Sequence, residues 1–332
     1  MSGNREAMAT MKVALLAVLL LAAVILSIGT GSVHVPLWEV GKTLIGKGTA
    51  QHELILLQLR LPRAAASLLV GAAMAVSGAL LQALVRNPLA SPDLLGTTSG
   101  AAAAAIAFIA ATNGEASIAW LPLAALAGGC AASALTYLLA WKKGSSPLRM
   151  VMIGVSVSSA MGALSIYFTL AGPLYLVSQA LGWMAGTVYG TSWKHVAYLA
   201  PWVLVGTLVA MAQARSLNVL ELGDPLATGV GVKVERKRFL FIAWSVALAS
   251  SAVGIAGGIS FVGLMAPHMA RTLVGSNNRF VLPASAILGA FLVLLADLAG
   301  RTLFMPLDIP AGLFTALLGA PFFMYLLLKS KA

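Results

Sequence analysis

The sequence predicts an all-α, polytopic membrane protein, as judged by its composition, its long charge-free intervals and the placement of its basic residues. Of the 332 residues, 60% are hydrophobic and only 9% are charged, and the mean hydropathy is +0.94. About a quarter of the residues of a soluble domain are normally charged. A chain this poor in charge could not cover its surface in water, and its length favours many spans over a single anchor.

The charge-free intervals give the number of spans, because a charge at the bilayer centre costs at least about 2.5 kcal/mol. They are 13–38, 64–85, 94–114, 116–141, 150–193, 195–214, 239–270, 280–296 and 309–328. Seven of them fit one helix each. The interval 150–193 holds a span, a break at 171–173 and a re-entrant or surface helix at 175–185, and the interval 239–270 holds two spans. The total is about ten transmembrane helices.

The basic residues predict the orientation. With the N-terminus in the cytoplasm, 15 of the 21 Lys and Arg residues fall in internal segments and six in external ones, as the positive-inside rule requires. Both termini are then cytoplasmic. The stretch from Val13 to Ile28 is predicted to be a retained first span, since no A-x-A cleavage site follows it. The scattered basic residues argue against a nucleic-acid partner despite the net charge of +11.

A weak internal repeat is seen when the sequence is shifted by 180 residues. Residues 76–81 then align with 256–261, and 83–85 with 263–265. Both stretches are predicted to close a span, the second and the seventh. Two halves of five spans each must have opposite orientations, so the sequence predicts an inverted five-plus-five repeat.

Several motifs in a fixed order resemble the FecCD/BtuC-type permeases. They are Arg60-Leu61-Pro62-Arg63, Arg86-Asn87-Pro88-Leu89-Ala90-Ser91-Pro92, Gly258-Ile259-Ser260-Phe261-Val262-Gly263-Leu264, Pro267-His268, Ala296-Asp297 and Ile309-Pro310-Ala311-Gly312. The resemblance implies one transmembrane permease domain over 1–332, in a bacterial cell membrane. It also implies an ABC importer with two cytoplasmic ATPase subunits, an external substrate-binding protein and a second permease copy or paralogue. The implied substrate is an iron chelate, with a ferric siderophore favoured and cobalamin or haem as alternatives.

The segment 213–238 is the longest internal hydrophilic stretch and is similar to the coupling loop of that family. Asp224 as N-cap and Pro225 at the first helical position predict a short helix that ends at 229–231. The residues expected to contact the ATPase are Leu222, Gly223, Asp224, Pro225, Ala227, Gly229 and Gly231. An ordinary basic loop is the alternative.

The resemblance implies two further sites. Arg60, Arg63 and Arg301 are expected to dock carboxylates of the binding protein, for which a bidentate guanidinium is suited. An i,i+4 pair with Asp297 is an alternative or additional role for Arg301. Asn87 and Leu89, together with Ser145 and Ser146, are expected to form a cytoplasmic gate. For Ser145 and Ser146, followed by Pro147, ordinary turn chemistry is an equally good explanation.

Enzymatic activity is not expected, because the sequence contains no GxSxG, HExxH or Walker motif. Energy must then come from partner subunits. The predicted spans carry almost no ionisable residues, which argues against an ion-coupled secondary transporter. A channel is the remaining alternative to an ABC permease. No cofactor, metal site or catalytic residue is predicted, and His268 has no second ligand close to it in the sequence.

Overall fold

The computed structural model describes residues 2–31, 33, 35–112, 120–141, 147–171 and 181–329. Within these ranges the chain is built from helices, with no β-strand. The helices are α1 Ser2–Gly29, α2 Leu37–Leu44, α3 Ala50–Glu53, α4 Leu61–Val85, α5 Thr97–Ala111, α6 Leu121–Ala140, α7 Pro147–Ala171, α8 Trp193–Ala212, α9 Ala214–Glu221, α10 Asp224–Gly229, α11 Val234–Ala256, α12 Val262–Val274, α13 Asn278–Thr302 and α14 Ala311–Lys329. A π-helix at Leu54–Arg60 leads into α4, and a 3-10 turn at Pro92–Leu95 precedes α5.

The described helices confirm a polytopic all-α membrane protein. Seven of them are long and apolar enough to cross a membrane. The other three predicted spans are helical but shorter: Thr97–Ala111, Val262–Val274 and the apolar part of α14, Ala311–Leu326. Each of the ten predicted spans therefore has a helix at its position. Ala171 is the last residue of α7, whereas the rest of the predicted break, 172–173, and the first part of the predicted re-entrant helix, 175–180, lie outside the described residues.

Helix α4 forms the centre of the bundle and packs against α8, α11, α12 and α13. In its apolar span 78% of the residues are buried, against 17% in α1 and α7. Most of the membrane-facing surface of the described chain is therefore supplied by helices around α4.

Close backbone approach at glycines allows this packing. A Cβ on Gly71 would lie 2.1 Å from the carbonyl oxygen of Gly289 in α13, and one on Gly78 would lie 1.8 Å from that of Gly263 in α12. Real Cβ atoms do not tolerate such distances, so only glycine fits at these two positions. Small residues at helix contacts are typical of membrane bundles, in which lipid supplies no hydrophobic drive for association.

The structure corrects the alignment on which the internal repeat was predicted. Residues 76–81 lie within α4, which continues to Val85. Of their proposed counterparts, Ala256 is the last residue of α11, and 257–261 form the non-helical break before α12, in which Gly257 and Phe261 have φ values of +68° and +65°. The shift of 180 residues is therefore wrong as a structural equivalence, and the inverted repeat stays a prediction.

Candidate functional site

The segment 213–238 contains the short helix that the sequence predicts. Helix α10 spans Asp224–Gly229, with Pro225 in its first turn. Gly223 occupies the N-cap with φ +110°. Asp224 is therefore the first helical residue, and the prediction that it is the N-cap is wrong. The helix ends at Val230, and Gly231 follows with φ +83°. Gly223 and Gly231 thus bracket the helix with backbone conformations that favour glycine.

The carboxylate of Asp224 is free to make ion pairs because it does not cap the helix. Its Oδ2 lies 2.8 Å from Nη2 of Arg238, and its Oδ1 lies 3.8 Å from Nη2 of Arg86. The Arg238 side chain is only 4% exposed and also contacts Glu235 at 2.8 Å. Arg86 follows the last residue of α4, and Arg238 lies in the first turns of α11. These contacts fix the start of α10 to the ends of two helices of the bundle.

Helix α10 presents an apolar surface to its surroundings. Leu222, Leu226 and Val230 are 67%, 62% and 70% exposed, and they recur every four residues. Ala227 is buried against the bundle. Leu222 precedes Gly223 and Val230 is the C-cap, so Leu226 lies within α10 and the other two flank it. Exposed apolar side chains grouped in one short segment mark a surface for a partner.

The preceding helix, α9, is tied to the same end of the bundle. The amide oxygen of Asn218 accepts from the backbone N–H of Asn278 at 2.9 Å and from its side-chain amide at 2.8 Å. Glu221 lies 3.5 Å from Arg271 of α12, and Arg271 in turn donates to Gln82 of α4. These contacts tie α9 to α4, α12 and α13, and those of Asp224 tie α10 to α4 and α11.

An arginine cluster lies at the opposite end of α4. Its members are Arg60, Arg63, Asp297, Arg301 and Asp308. Since α4 has 25 residues at about 1.5 Å of rise each, the two ends are separated by roughly 37 Å. We call this end of the molecule the arginine end, and the other, with α9 and α10, the short-helix end.

Arg63 binds two carboxylates at once. Its Nη2 lies 2.7 Å from Oδ1 of Asp297, and its Nη1 lies 2.7 Å from Oδ2 of Asp308. Asp297 is 2% exposed and Asp308 is 27% exposed. Asp308 is therefore the carboxylate of this pair that solvent or a partner can reach.

Arg60 and Arg301 point into the protein. Arg60 is buried and donates to the carbonyls of Ile28, Gly29 and Val33. Arg301 donates to the carbonyls of Ser27 and Thr30 and lies 3.7 Å from Asp297, the i,i+4 pair considered from the sequence. Both guanidinium groups thus hold the end of α1 against α4 and α13. Docking of a partner by the three arginines stays a prediction, and internal contacts give Arg60 a structural role.

Of the predicted gate residues, Asn87 and Leu89 fall in a turn at the short-helix end. The side-chain oxygen of Asn87 accepts from the backbone N–H of Leu89 at 2.9 Å, a hydrogen bond typical of turns. Asn87 is exposed and Leu89 half-buried. Ser145 and Ser146 lie outside the described residues, and the gate stays a prediction.

The sequence pattern does not reveal the position of Asp93, the charged residue that precedes the charge-free interval 94–114. The chain turns back into the bundle after α4, and the carbonyl of Asp93 accepts from Ser158 Oγ, 3.0 Å away near the middle of α7. The hydroxyl of Thr98 donates to its carboxylate. Pro92 and Gly96 around Asp93, before a helix of only 15 residues, were the signal that could have shown this re-entry.

Comparison with known proteins defines the family. A sequence model of the FecCD transport family matches residues 19–329. The chain belongs to the FecCD transport family. This agrees with the motifs recognised in the sequence, and the match covers nearly the whole bundle.

Relatives in the FecCD family share most of the chain. The siderophore transport system permease protein YfhA of Bacillus subtilis is 44% identical, covering 93% of this chain and 92% of that protein. The achromobactin transport system permease protein CbrC of Dickeya dadantii is 45% identical, covering 96% and 92%. A solved inward-facing structure of a metal-chelate type ABC transporter superposes with a TM-score of 0.85 at 31% identity, covering 96% of this chain and 98% of that one.

Proposed function

We propose that this chain is the permease subunit of an ABC importer that passes a ferric siderophore from an external binding protein into the cytoplasm. The observation that carries the proposal is the short helix α10, with exposed apolar side chains in it and on either side of it and an anchor on the buried Arg238. FecCD membership and relatives named for siderophore transport support the substrate class.

The proposed mechanism assigns the short-helix end to two cytoplasmic ATPase subunits. Leu222, Leu226 and Val230 would enter a groove of the ATPase, and the Asp224–Arg238 pair would transmit the movement of α10 to α11. A rigid contact is required because the sequence has no Walker motif and so must receive its energy from a partner. Asn87 and Leu89 would gate the pathway at this end.

The arginine end is proposed to face the outside and to receive the binding protein. Of the three arginines, Arg63 suits this role best, because its second partner, Asp308, is partly exposed and can be exchanged for a carboxylate of the binding protein. A second permease copy or a paralogue would complete the pathway. Both termini would then lie in the cytoplasm of a bacterial cell.

Uptake of labelled substrates tests the proposal. Cells that lack this gene are given radiolabelled iron as a ferric siderophore and, in parallel, labelled cobalamin. We expect loss of iron uptake alone, restored by the wild-type gene but not by a variant with Leu222, Leu226 and Val230 all changed to Asp. Loss of cobalamin uptake alone would contradict the substrate assignment but not the assignment of the chain to an importer. Normal uptake of both substrates, in cells without a second siderophore system, would contradict the function.

A further inference from the structure

A crevice on the membrane-facing side of the bundle has no role in the transport mechanism above. It lies between α6, α8 and α11 and has a volume of about 410 Å³, within the range of roughly 300–1,000 Å³ typical of small-molecule sites. Its walls are Pro122, Leu123, Leu126, Leu199, Ser251 and Ile255, and Trp120, Tyr198 and Trp202 complete the lining. The walls are almost entirely apolar, so the occupant must be apolar over most of its length.

The crevice opens on the outer surface of the bundle. Only 33% of the apolar span of α6 and 22% of that of α8 are buried, so both helices face outwards over most of their length. Leu123 is 53% exposed and Tyr198 is 61% exposed at the opening. The crevice is therefore continuous with the outward-facing apolar surface of α6 and α8, through which hydrocarbon of a surrounding bilayer could enter it.

The position of the crevice along the helices matches the level at which acyl chains meet headgroups. It is lined by the first turns of α6 and α8 and by the last turns of α11. This is the arginine end, because the indole Nε1 of Trp193 at the start of α8 donates to the carbonyl oxygen of Leu57, close in sequence to Arg60. Trp120, Tyr198 and Trp202 form an aromatic group at this level, as expected at a membrane interface. A chain that entered here would have its polar head at the arginine end.

A positive charge lies above the opening. Lys194 is exposed and lies one helical turn before Tyr198, so the two side chains share a face of α8. Among the described residues Lys194 has no ion-pair partner. We propose that the crevice binds an acyl chain of an anionic glycerophospholipid from the surrounding bilayer, with the lipid phosphate on Lys194 and the aromatic side chains at the level of the glycerol esters.

Retention of native lipid by the full-length protein tests the site. The protein is extracted with mild detergent from membranes that contain phosphatidylglycerol and phosphatidylethanolamine, and native mass spectrometry identifies the retained lipid. We expect wild type to retain phosphatidylglycerol and Leu126→Trp, which fills the crevice, to lose it. Leu135→Trp is the matched control, on an exposed position of α6 outside the crevice, and should retain the lipid. Equal retention in wild type and Leu126→Trp would overturn the proposal.

The headgroup contact has its own test. Lys194→Glu should lower retention of phosphatidylglycerol by at least about fivefold, the effect of one basic residue near an anionic surface. Lys47→Glu, which changes an exposed lysine outside the crevice, should not change it. Unchanged retention in Lys194→Glu, or retention of phosphatidylethanolamine in place of phosphatidylglycerol, would overturn the assignment of an anionic lipid.

A measurement on the wild-type protein avoids dependence on variants. In phosphatidylethanolamine bilayers, a small fraction of brominated phosphatidylglycerol should quench tryptophan fluorescence more than the same fraction of brominated phosphatidylethanolamine, because Trp120 and Trp202 line the crevice. Equal quenching by the two lipids would overturn the proposal.

Discussion

Arg63 of α4 and Asp297 of α13 form an ion pair, with Nη2 2.7 Å from Oδ1, at the arginine end of the two most closely packed central helices. Eight residues further along α4, Gly71 meets Gly289, eight residues earlier in α13. Both contacts fit one antiparallel register. The charge pair and the glycine contact therefore fix the same helix alignment, one by electrostatics and the other by close backbone approach.

Loss of the Asp297 carboxylate should destabilise the protein. Asp297→Asn leaves Arg63 and Arg301 without their most buried partner, and breaking a buried ion pair costs about 3–5 kcal/mol. We expect a lower midpoint of thermal unfolding in mild detergent. Asp308→Asn is the control, because its 27% exposed side chain makes a more solvated pair worth about 0–1 kcal/mol. Equal midpoints for the two variants would contradict the central role of Asp297.

Gly71→Ala should separate α4 from α13. The added Cβ would lie 2.1 Å from the carbonyl oxygen of Gly289, a backbone atom that can move only with its helix. Overpacking of this kind costs about 1–3 kcal/mol, measured as the unfolding midpoint in detergent. Gly162→Ala in α7 meets open space and should leave the midpoint unchanged or raise it, since Ala favours helix. The reverse order of the two midpoints would rule out this contact as a determinant of packing.

Asp308→Asn should strengthen binding of the substrate-binding protein. In the proposed docking mode, Asp308 competes with the partner's carboxylates for Arg63, and its removal should raise affinity by up to about fivefold. Titration of the binding protein against the permease in nanodiscs at two salt concentrations measures this effect and its screening. Glu39→Gln, a change at a carboxylate that pairs with Lys42 instead, should have no effect. Weaker binding by Asp308→Asn would exclude competition for Arg63.

The sequence was sufficient to place a helix at each of the ten predicted spans and at α10, because both depend on local signals. Charges bound the spans, and Asp224-Pro225 with the glycines at 229 and 231 bounds α10. The side-chain partners were not predictable in this way. Arg60 reads as an exposed basic residue, yet its acceptors are carbonyls 27 to 32 residues earlier in the chain. Burial of Arg60 depends on how α1 returns to α4, which no local pattern encodes.

The role of Asp224 shows the same limit within a short segment. Its residue type suits an N-cap, but Gly223 takes that position with a φ that favours glycine, and the carboxylate turns to Arg238. The competing interaction is a buried cation 14 residues away, which outweighs local capping. Similarly, a charged residue such as Asp93 indicates the end of a span when only the sequence is considered. Its place inside the bundle depends on the packing of Pro92–Leu95 against α7, which is not a local signal.

Asp224→Asn should uncouple ATP hydrolysis from transport while leaving membrane insertion intact. The change removes the anionic partner that joins α10 to Arg238 and Arg86, so movement of α10 should no longer be transmitted efficiently to α11 and α4. The measurement is ATPase stimulation by loaded binding protein in liposomes that contain the complete importer, with substrate uptake in the same preparation. Arg236→Gln changes an exposed charge in the same segment and should behave as wild type. Unaltered coupling in Asp224→Asn would remove the coupling role of this pair.

The two ends of α4 should be accessible from opposite sides of the membrane. Lys47 precedes the π-helix that leads into the arginine end, whereas Arg236 lies at the short-helix end, and both are exposed. Lys47→Cys and Arg236→Cys are made separately after Cys130, which is exposed, is changed to Ser. A membrane-impermeant maleimide should label Lys47→Cys in intact cells and Arg236→Cys only after permeabilisation, because the excess of basic residues at the short-helix end favours the cytoplasm. Labelling of both variants in intact cells would contradict the ten-span topology. Labelling of Arg236→Cys alone in intact cells would show that the chain has the opposite orientation.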